Sequence, residues 1–222
     1  MIDLQREGDV DVLRLDDGEN RFNNRFLGAL ETALDRIEGG DAAALVSVGT
    51  GKFYSTGLDL PWLMGDGREE ADEFVPRLQR LLARILVFPI PTVAAINGHA
   101  FAAGAMLSLA HDSRLMRTDR GFFCLPEIDL ATGQPLTPGM TALIGARLPR
   151  QSFHEALMTG RRYGGEDAAR RGMVESHHGE ADLLAAALER AQFLGRHERD
   201  SVVSVKRSMW HDVEQALLAP PA

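Results

Sequence analysis

Glu127 lies in the run Leu125-Pro126-Glu127-Ile128-Asp129, where apolar neighbours surround a single carboxylate. Partial desolvation raises a carboxyl pKa and suits it to taking and returning a proton near neutral pH. Upstream, Asn97-Gly98-His99-Ala100-Phe101-Ala102-Ala103-Gly104-Ala105-Met106 describes a turn of small residues entering a helix. The unpaired amides and dipole of a helix start favour a developing negative charge. Earlier still, Gly51-Lys52-Phe53-Tyr54-Ser55-Thr56-Gly57-Leu58-Asp59 follows a buried strand, the end of a strand where α/β proteins place ligands. Gly57 permits a turn that aims a neighbouring N–H into a cleft. Together the three segments suggest a pocket that polarises a carbonyl and moves one proton. His99 is a base by type, but a lone histidine beside apolar residues reads as structural. His111, Asp112 and Asp129 read the same way, and Asp59 as a residue that fixes its loop.

The elements that must position these segments follow from periodicity. The first fifteen residues alternate like a strand, clearest at Val10, Val12, Leu13 and Leu15. Asn23 or Asn24 caps a helix reaching Glu38, with Phe26, Leu27, Leu30, Leu34 and Ile37 on one face. Ala42–Val48 is apolar but for Ser47, hence a buried strand, and Gly49–Asp59 reads as a loop. Arg68–Leu86 is helical and stops at Pro89 and Pro91. Thr92–Ile96, Ser113–Met116 and Phe122–Leu125 are strands, with a helix at Ala102–Ala110 between the first two. Leu130–Pro138 is a loop. Beyond it helices dominate, at about 139–146, 151–159, 165–171, 180–195 and 200–217, with one extended piece at Met173–Ser176. Strand–helix alternation followed by helices is an α/β core with a helical C-terminal part.

The 222 residues suffice for one sizeable domain, and a hydrophobic fraction of 45% with 25% charged residues is that of an ordinary globular protein. The net charge of -8 gives no support to nucleic-acid binding through the overall field. Cys124 is the single cysteine, so neither an intrachain disulfide nor a cysteine-rich metal site is expected. No metal is implied. The first residues do not resemble a signal peptide and no long apolar run is uninterrupted, so a cytoplasmic protein away from membranes is expected.

Phe53–Asp59, Ile96–Asp112 and Pro126–Ile128, in this order and context, resemble the crotonase (enoyl-CoA hydratase/isomerase) superfamily over roughly residues 3–210. Ala168-Ala169-Arg170-Arg171-Gly172-Met173-Val174 matches a further family stretch. The resemblance implies a spiral of ββα units over residues 1–140, carrying an acyl-CoA pocket, and a helical trimerisation region over 141–222. It implies a homotrimer or hexamer, and no cofactor beyond the coenzyme A of the substrate. It also implies an oxyanion hole made by the backbone N–H groups of Leu58 and Ala103, with Glu127 as the catalytic carboxylate. Family hydratases carry a second glutamate at the position of Met106. Its loss points away from hydration and toward Δ3,Δ2-enoyl-CoA isomerisation in fatty-acid oxidation, for which one carboxylate suffices. Residues Ala102–Gly121 also resemble the plant peroxisomal monofunctional isomerases. Met106 either lines the acyl pocket or packs in the core. Phe101, Leu63, Leu136 and Met140 are further candidates for the acyl wall. Lys52, Phe53, Ser55 and Lys206 are candidates for CoA contact, Lys206 from a neighbouring subunit. The alternatives are another crotonase-type reaction, hydratase-like or hydrolytic, and a catalytically silent acyl-CoA-binding protein.

Overall fold

The structure is a computed structural model, and it describes residues 2–130 and 136–220. Residues 131–135, within the expected loop before Pro138, lie outside the described residues. Two parallel-rich sheets are built from repeated strand–strand–helix units. The first unit is β1 (Ile2–Glu7), β2 (Val10–Leu15) and α1 (Asn24–Glu38). The second is β3 (Ala44–Gly49), β4 (Phe53–Ser55), the short α2 (Leu60–Met64) and α3 (Ala71–Leu86). The third is β5 (Thr92–Ile96), β6 (His99–Phe101) and α4 (Ala103–Ala110). The fourth begins with β7 (Ser113–Arg117) and β8 (Phe123–Cys124) and continues into α5 (Pro138–Arg147). After these come α6 (Arg150–Thr159), α7 (Gly165–Arg170), β9 (Ser176–His178), α8 (Glu180–Leu194) and α9 (Arg199–Leu218).

The leading strand of each later unit joins a six-stranded sheet ordered β1-β2-β3-β5-β7-β9, parallel except for the β1–β2 hairpin. The second strand turns away into a small parallel sheet, β4-β6-β8. The central strands β2, β3, β5 and β7 are buried on both faces, which explains the mostly apolar runs of β3 and β5. Val10, Val12, Val46, Val93, Ala95 and Leu115 face one side, under Leu183, Ala187 and Ala191 of α8. Leu13, Leu15, Leu45, Ala94, Ile96 and Met116 face the main core with α1, α3, α4 and α5.

Several expectations shift in detail. The alternating N-terminal run is a hairpin, not one strand, because Gly8 turns it at positive φ. The expected loop at Gly49–Asp59 contains β4, and β6 occupies the approach to α4. Each is only three residues long, too short for a periodic signal. The extended piece near 173–176 is realised two residues later, as β9. Asn23, not Asn24, caps α1, accepting a bond from the Phe26 N–H at 3.0 Å.

The C-terminal helices fold back onto the core. The division at residue 140 falls inside α5, and Met140, Leu143, Ile144 and Leu217 share the main core with the strands. Arg147 stacks on Trp210, 4.7 Å from the ring centre, joining α5 to α9. The Lys206 ammonium on α9 is buried and donates to Asp112 at 2.8 Å, while the same carboxylate oxygen accepts from the Thr92 N–H at 2.8 Å. His111, beside it, is neutral. Burial pushes its pKa down to about 4, its Nδ1–H donates to the Leu107 carbonyl, and Nε2 accepts from Ser47. Without Asp112 the buried Lys206 ammonium keeps only the Ile90 carbonyl at 3.4 Å, whereas without Lys206 the less buried Asp112 keeps its bonds from Thr92. Asp112→Ala is therefore expected to lower unfolding free energy by about 3–5 kcal/mol in urea titrations, and Lys206→Met by much less. Equal, small losses in both variants would show that this pair does not tie α9 down.

Candidate active site

The site is assembled where two backbone segments touch more closely than side chains allow. Gly57 sits at φ 90°, and a Cβ there would lie 2.9 Å from the Phe101 carbonyl oxygen and 3.2 Å from the Ala103 nitrogen. Gly104, in the first turn of α4, is packed as tightly from the other side, since a Cβ on it would strike the Ser55 carbonyl oxygen at 2.2 Å. Only glycine fits at either place, so the loop after β4 and the start of α4 are locked side by side.

This lock brings two free amides together. Phe22 bridges Leu58 in parallel: the Phe22 N–H donates to Gly57 O at 2.8 Å and the Asp59 N–H to Phe22 O at 3.0 Å. Amide directions alternate along an extended chain, so the Leu58 N–H faces away from Phe22. Ala103 is the first helical residue, whose N–H has no acceptor within its own helix. Among the described residues neither amide has a hydrogen-bond acceptor. Both residues line one cleft of about 150 Å³ with Thr56, Leu60, Phe101, Met106, Pro126, Glu127, Leu130 and Met140.

Glu127 opens a short 3-10 turn after β8. It is 3% exposed, and among the described residues neither carboxyl oxygen has a hydrogen-bond partner. Burial against apolar walls raises its pKa to about 7. It is the one titratable side chain among the described residues that line the cleft. Met106, one turn into α4, is buried and faces the same space, so it both lines the pocket and belongs to the main core. Met140 is placed by the capping Thr137, whose hydroxyl accepts from the Met140 N–H at 3.1 Å.

The remaining candidates divide. Phe101 lines the cleft as expected, whereas Leu63 and Leu136 pack half-buried against the main core and are not among the lining residues. Lys52 is exposed on the turn before β4, and Phe53 stacks on His99 with ring centres 5.7 Å apart. Ser55 is fully buried: its hydroxyl donates to Asn20 O at 2.7 Å and accepts from the Gly57 N–H at 3.2 Å. Its side chain thus shapes the loop and is not free for coenzyme A. Lys206 is corrected likewise, because its ammonium is committed to Asp112 inside this chain. Asp59 does fix its loop, capping α2 by accepting from the Trp62 N–H and from the Asn23 side chain. Thr56, Leu60, Pro126 and Leu130 were not singled out from sequence; Thr56, Pro126 and Leu130 lie within two residues of the motif residues, and Leu60 starts a helix too short to show a period. No group of three or more metal-ligating side chains is found among the described residues, and no helix there is long and apolar enough to cross a membrane.

The unpaired carboxyl has a thermodynamic signature. Its folded-state pKa lies above the ordinary carboxylate value of about 4.3. Its contribution to stability is thus full below that value and is lost as pH rises through about 7. Glu127→Gln, which cannot ionise, is expected to exceed the wild type by about 3–4 kcal/mol at pH 8, roughly 6–16 °C in Tm, with the gap closing near pH 4. A pH-independent offset in calorimetry would refute the desolvated carboxylate.

Comparison with known proteins identifies the family. The family model described as enoyl-CoA hydratase/isomerase matches residues 5–220. Enoyl-CoA delta isomerase 2, a peroxisomal protein of Arabidopsis thaliana, is 30% identical over 96% of this chain and 93% of its own length. Carnitinyl-CoA dehydratase of Escherichia coli is 35% identical over a shorter stretch, 68% of this chain and 56% of that protein. The crystal structure of a probable enoyl-CoA hydratase from Mycobacterium tuberculosis superposes with a TM-score of 0.90 at 25% identity, covering 99% of this chain and 92% of that one. With a matching family model along nearly its whole length and the fold to go with it, this chain belongs to the enoyl-CoA hydratase/isomerase family.

Proposed function

We propose that the protein isomerises 3-enoyl-CoA thioesters to trans-2-enoyl-CoA in fatty-acid oxidation. The observation that carries this reading is a single buried carboxyl, without hydrogen-bond partners, opposite two free amides. The C2 protons of a 3-enoyl thioester are acidified by both the carbonyl and the double bond. Ionised Glu127 removes one of them, and the electron pair moves onto the thioester oxygen, giving a dienolate. The Leu58 and Ala103 N–H groups hold that oxygen as its charge develops, an arrangement whose single donors are worth about a hundredfold or more in rate. Glu127, now protonated, returns the proton to C4, and the double bond settles between C2 and C3. A pKa of about 7 suits both halves of the exchange. A carboxyl with no bonds to break can also swing between the two carbons.

Hydration needs a water held and activated between two acids. Met106 can neither donate nor accept that proton, and no second titratable side chain is among the described lining residues. The similarity to an enoyl-CoA delta isomerase along almost the whole chain supports the same choice. Assembly into trimers belongs to this reading, with exposed apolar Val205 and Met209 on α9 as the surface it offers. Exposed Lys52 is the remaining cation proposed for the phosphates of coenzyme A.

The test is incubation with trans-3-hexenoyl-CoA, following the conjugated product. The wild type should form the 2-enoyl thioester without a 3-hydroxyacyl product, and Glu127→Gln should lose at least a hundredfold in kcat. Equal turnover by both proteins, or hydration of the product, would sink the assignment. Since the base must be ionised in the free enzyme, kcat/KM should rise with pH through about 7 and then level off. An acid limb near the ordinary carboxylate value would show that the base is not a desolvated carboxyl.

A further inference from the structure

Asn20 is fully buried and takes a left-handed backbone, φ 51°, which asparagine tolerates better than most residues. It lies far from the motifs in sequence and lines none of the cleft. Its side-chain amide donates to Leu15 O at 3.1 Å and Tyr54 O at 3.0 Å, and its Oδ1 accepts from the Asp17 N–H at 2.8 Å. Its own carbonyl accepts the Ser55 hydroxyl, whose oxygen in turn holds the Gly57 N–H. On either side, the Thr56 N–H donates to Glu19 O at 3.0 Å and the Phe22 N–H to Gly57 O at 2.8 Å. The segment Glu19–Phe22 is thus laced to Tyr54–Asp59 residue by residue, with Asn20 at the centre of the lacing.

This pattern has a directional consequence. The Thr56 N–H, the Gly57 N–H and the Gly57 carbonyl are all engaged on this side, and the Leu58 N–H is left without an acceptor among the described residues. We infer that Asn20 is a positioning residue, whose bonds fix the loop so that the Leu58 amide points at the thioester oxygen. The inference rests on the isomerase reading for the identity of that oxygen. Asn20 touches no substrate and moves no proton.

The experiment uses Asn20→Gly, which keeps the left-handed backbone and removes the side-chain bonds. Turnover of trans-3-hexenoyl-CoA is measured together with the absorption of a bound conjugated dienoyl-CoA, whose spectrum moves to longer wavelength when its carbonyl is polarised. Asn20→Gly should lose about tenfold to a hundredfold in kcat, with KM changed far less, and should lose most of the spectral shift. The acid limb of the pH profile should stay where the wild type has it, since Glu127 is untouched. If Asn20→Gly does not fold, Ser55→Ala cuts only the link from Asn20 O to the Gly57 N–H and should lower both kcat and the shift. A folded variant that keeps full kcat and full shift overturns the inference, as does a wild type that binds the dienoyl-CoA without shifting it. A wild type that shifts the chromophore but does not isomerise fails the isomerase reading instead, and the loss of shift in the variants then still carries the positioning role.

Discussion

The contact between Gly57 and the turn at Phe101–Ala103 is closer than any side chain permits, and the chemistry of the molecule depends on it. Two strand–strand–helix units meet there, the second through the loop after β4 and the third through the first turn of α4. If the backbones stood apart by one methyl group, the Leu58 and Ala103 amides would no longer meet at one cleft, as the proposed oxyanion hole requires. Gly104 against Ser55 maintains the same approach from the helix side. The doubly buried central strands of the large sheet supply rigidity, while the small sheet supplies the exit angles of β4, β6 and β8, which deliver the loop, the helix start and Glu127 to one place.

Around that junction the surroundings are apolar, and they set two opposed conditions. A carboxyl without partners is poorly solvated, which raises its proton affinity and makes it a competent base and acid near neutrality. The same lack of partners is a defect by the standards of a folded interior, where buried polar groups are nearly always bonded. Elsewhere among the described residues only the Tyr163 hydroxyl and His99 Nδ1 are buried without a partner. Ser47, Tyr54 and His111 bond to one another, and Asp112 is shared by Thr92 and Lys206. Glu127 is the one carboxyl among these unpartnered groups, and it lines the cleft, which supports the proposed reactive role.

Much of this was legible in the sequence because it depends on residue type at short range. The small residues around Ala102–Ala105, the glycine before Leu58 and the carboxylate between Pro126 and Ile128 each announce local geometry, and the apolar runs at 44–49 and 92–96 announce doubly buried strands. What was not legible depends on partners distant in the chain. β4 and β6 are strands only because they pair with each other, and three residues carry no period. Ser55 and Lys206 looked available for a ligand because serine and lysine usually are. Their commitment to Asn20 and Asp112 crosses 35 and 94 positions. Asn20 itself gave no signal, since an asparagine in a polar segment reads as a turn.

Ala102 has φ 48° and ψ -122°, a conformation costly for a residue with a Cβ, of order 1–3 kcal/mol. It is held there from both sides, its N–H donating to Cys124 O and its carbonyl accepting from the Met106 N–H, each at 3.0 Å. A glycine would adopt the turn without strain but would also leave it readily. An alanine pinned at both ends gives the first turn of α4 a fixed shape before any thioester arrives. In the proposed isomerisation, the dipoles of this turn then need not reorient as charge builds, and the strain at Ala102 would lower the reorganisation the dienolate requires.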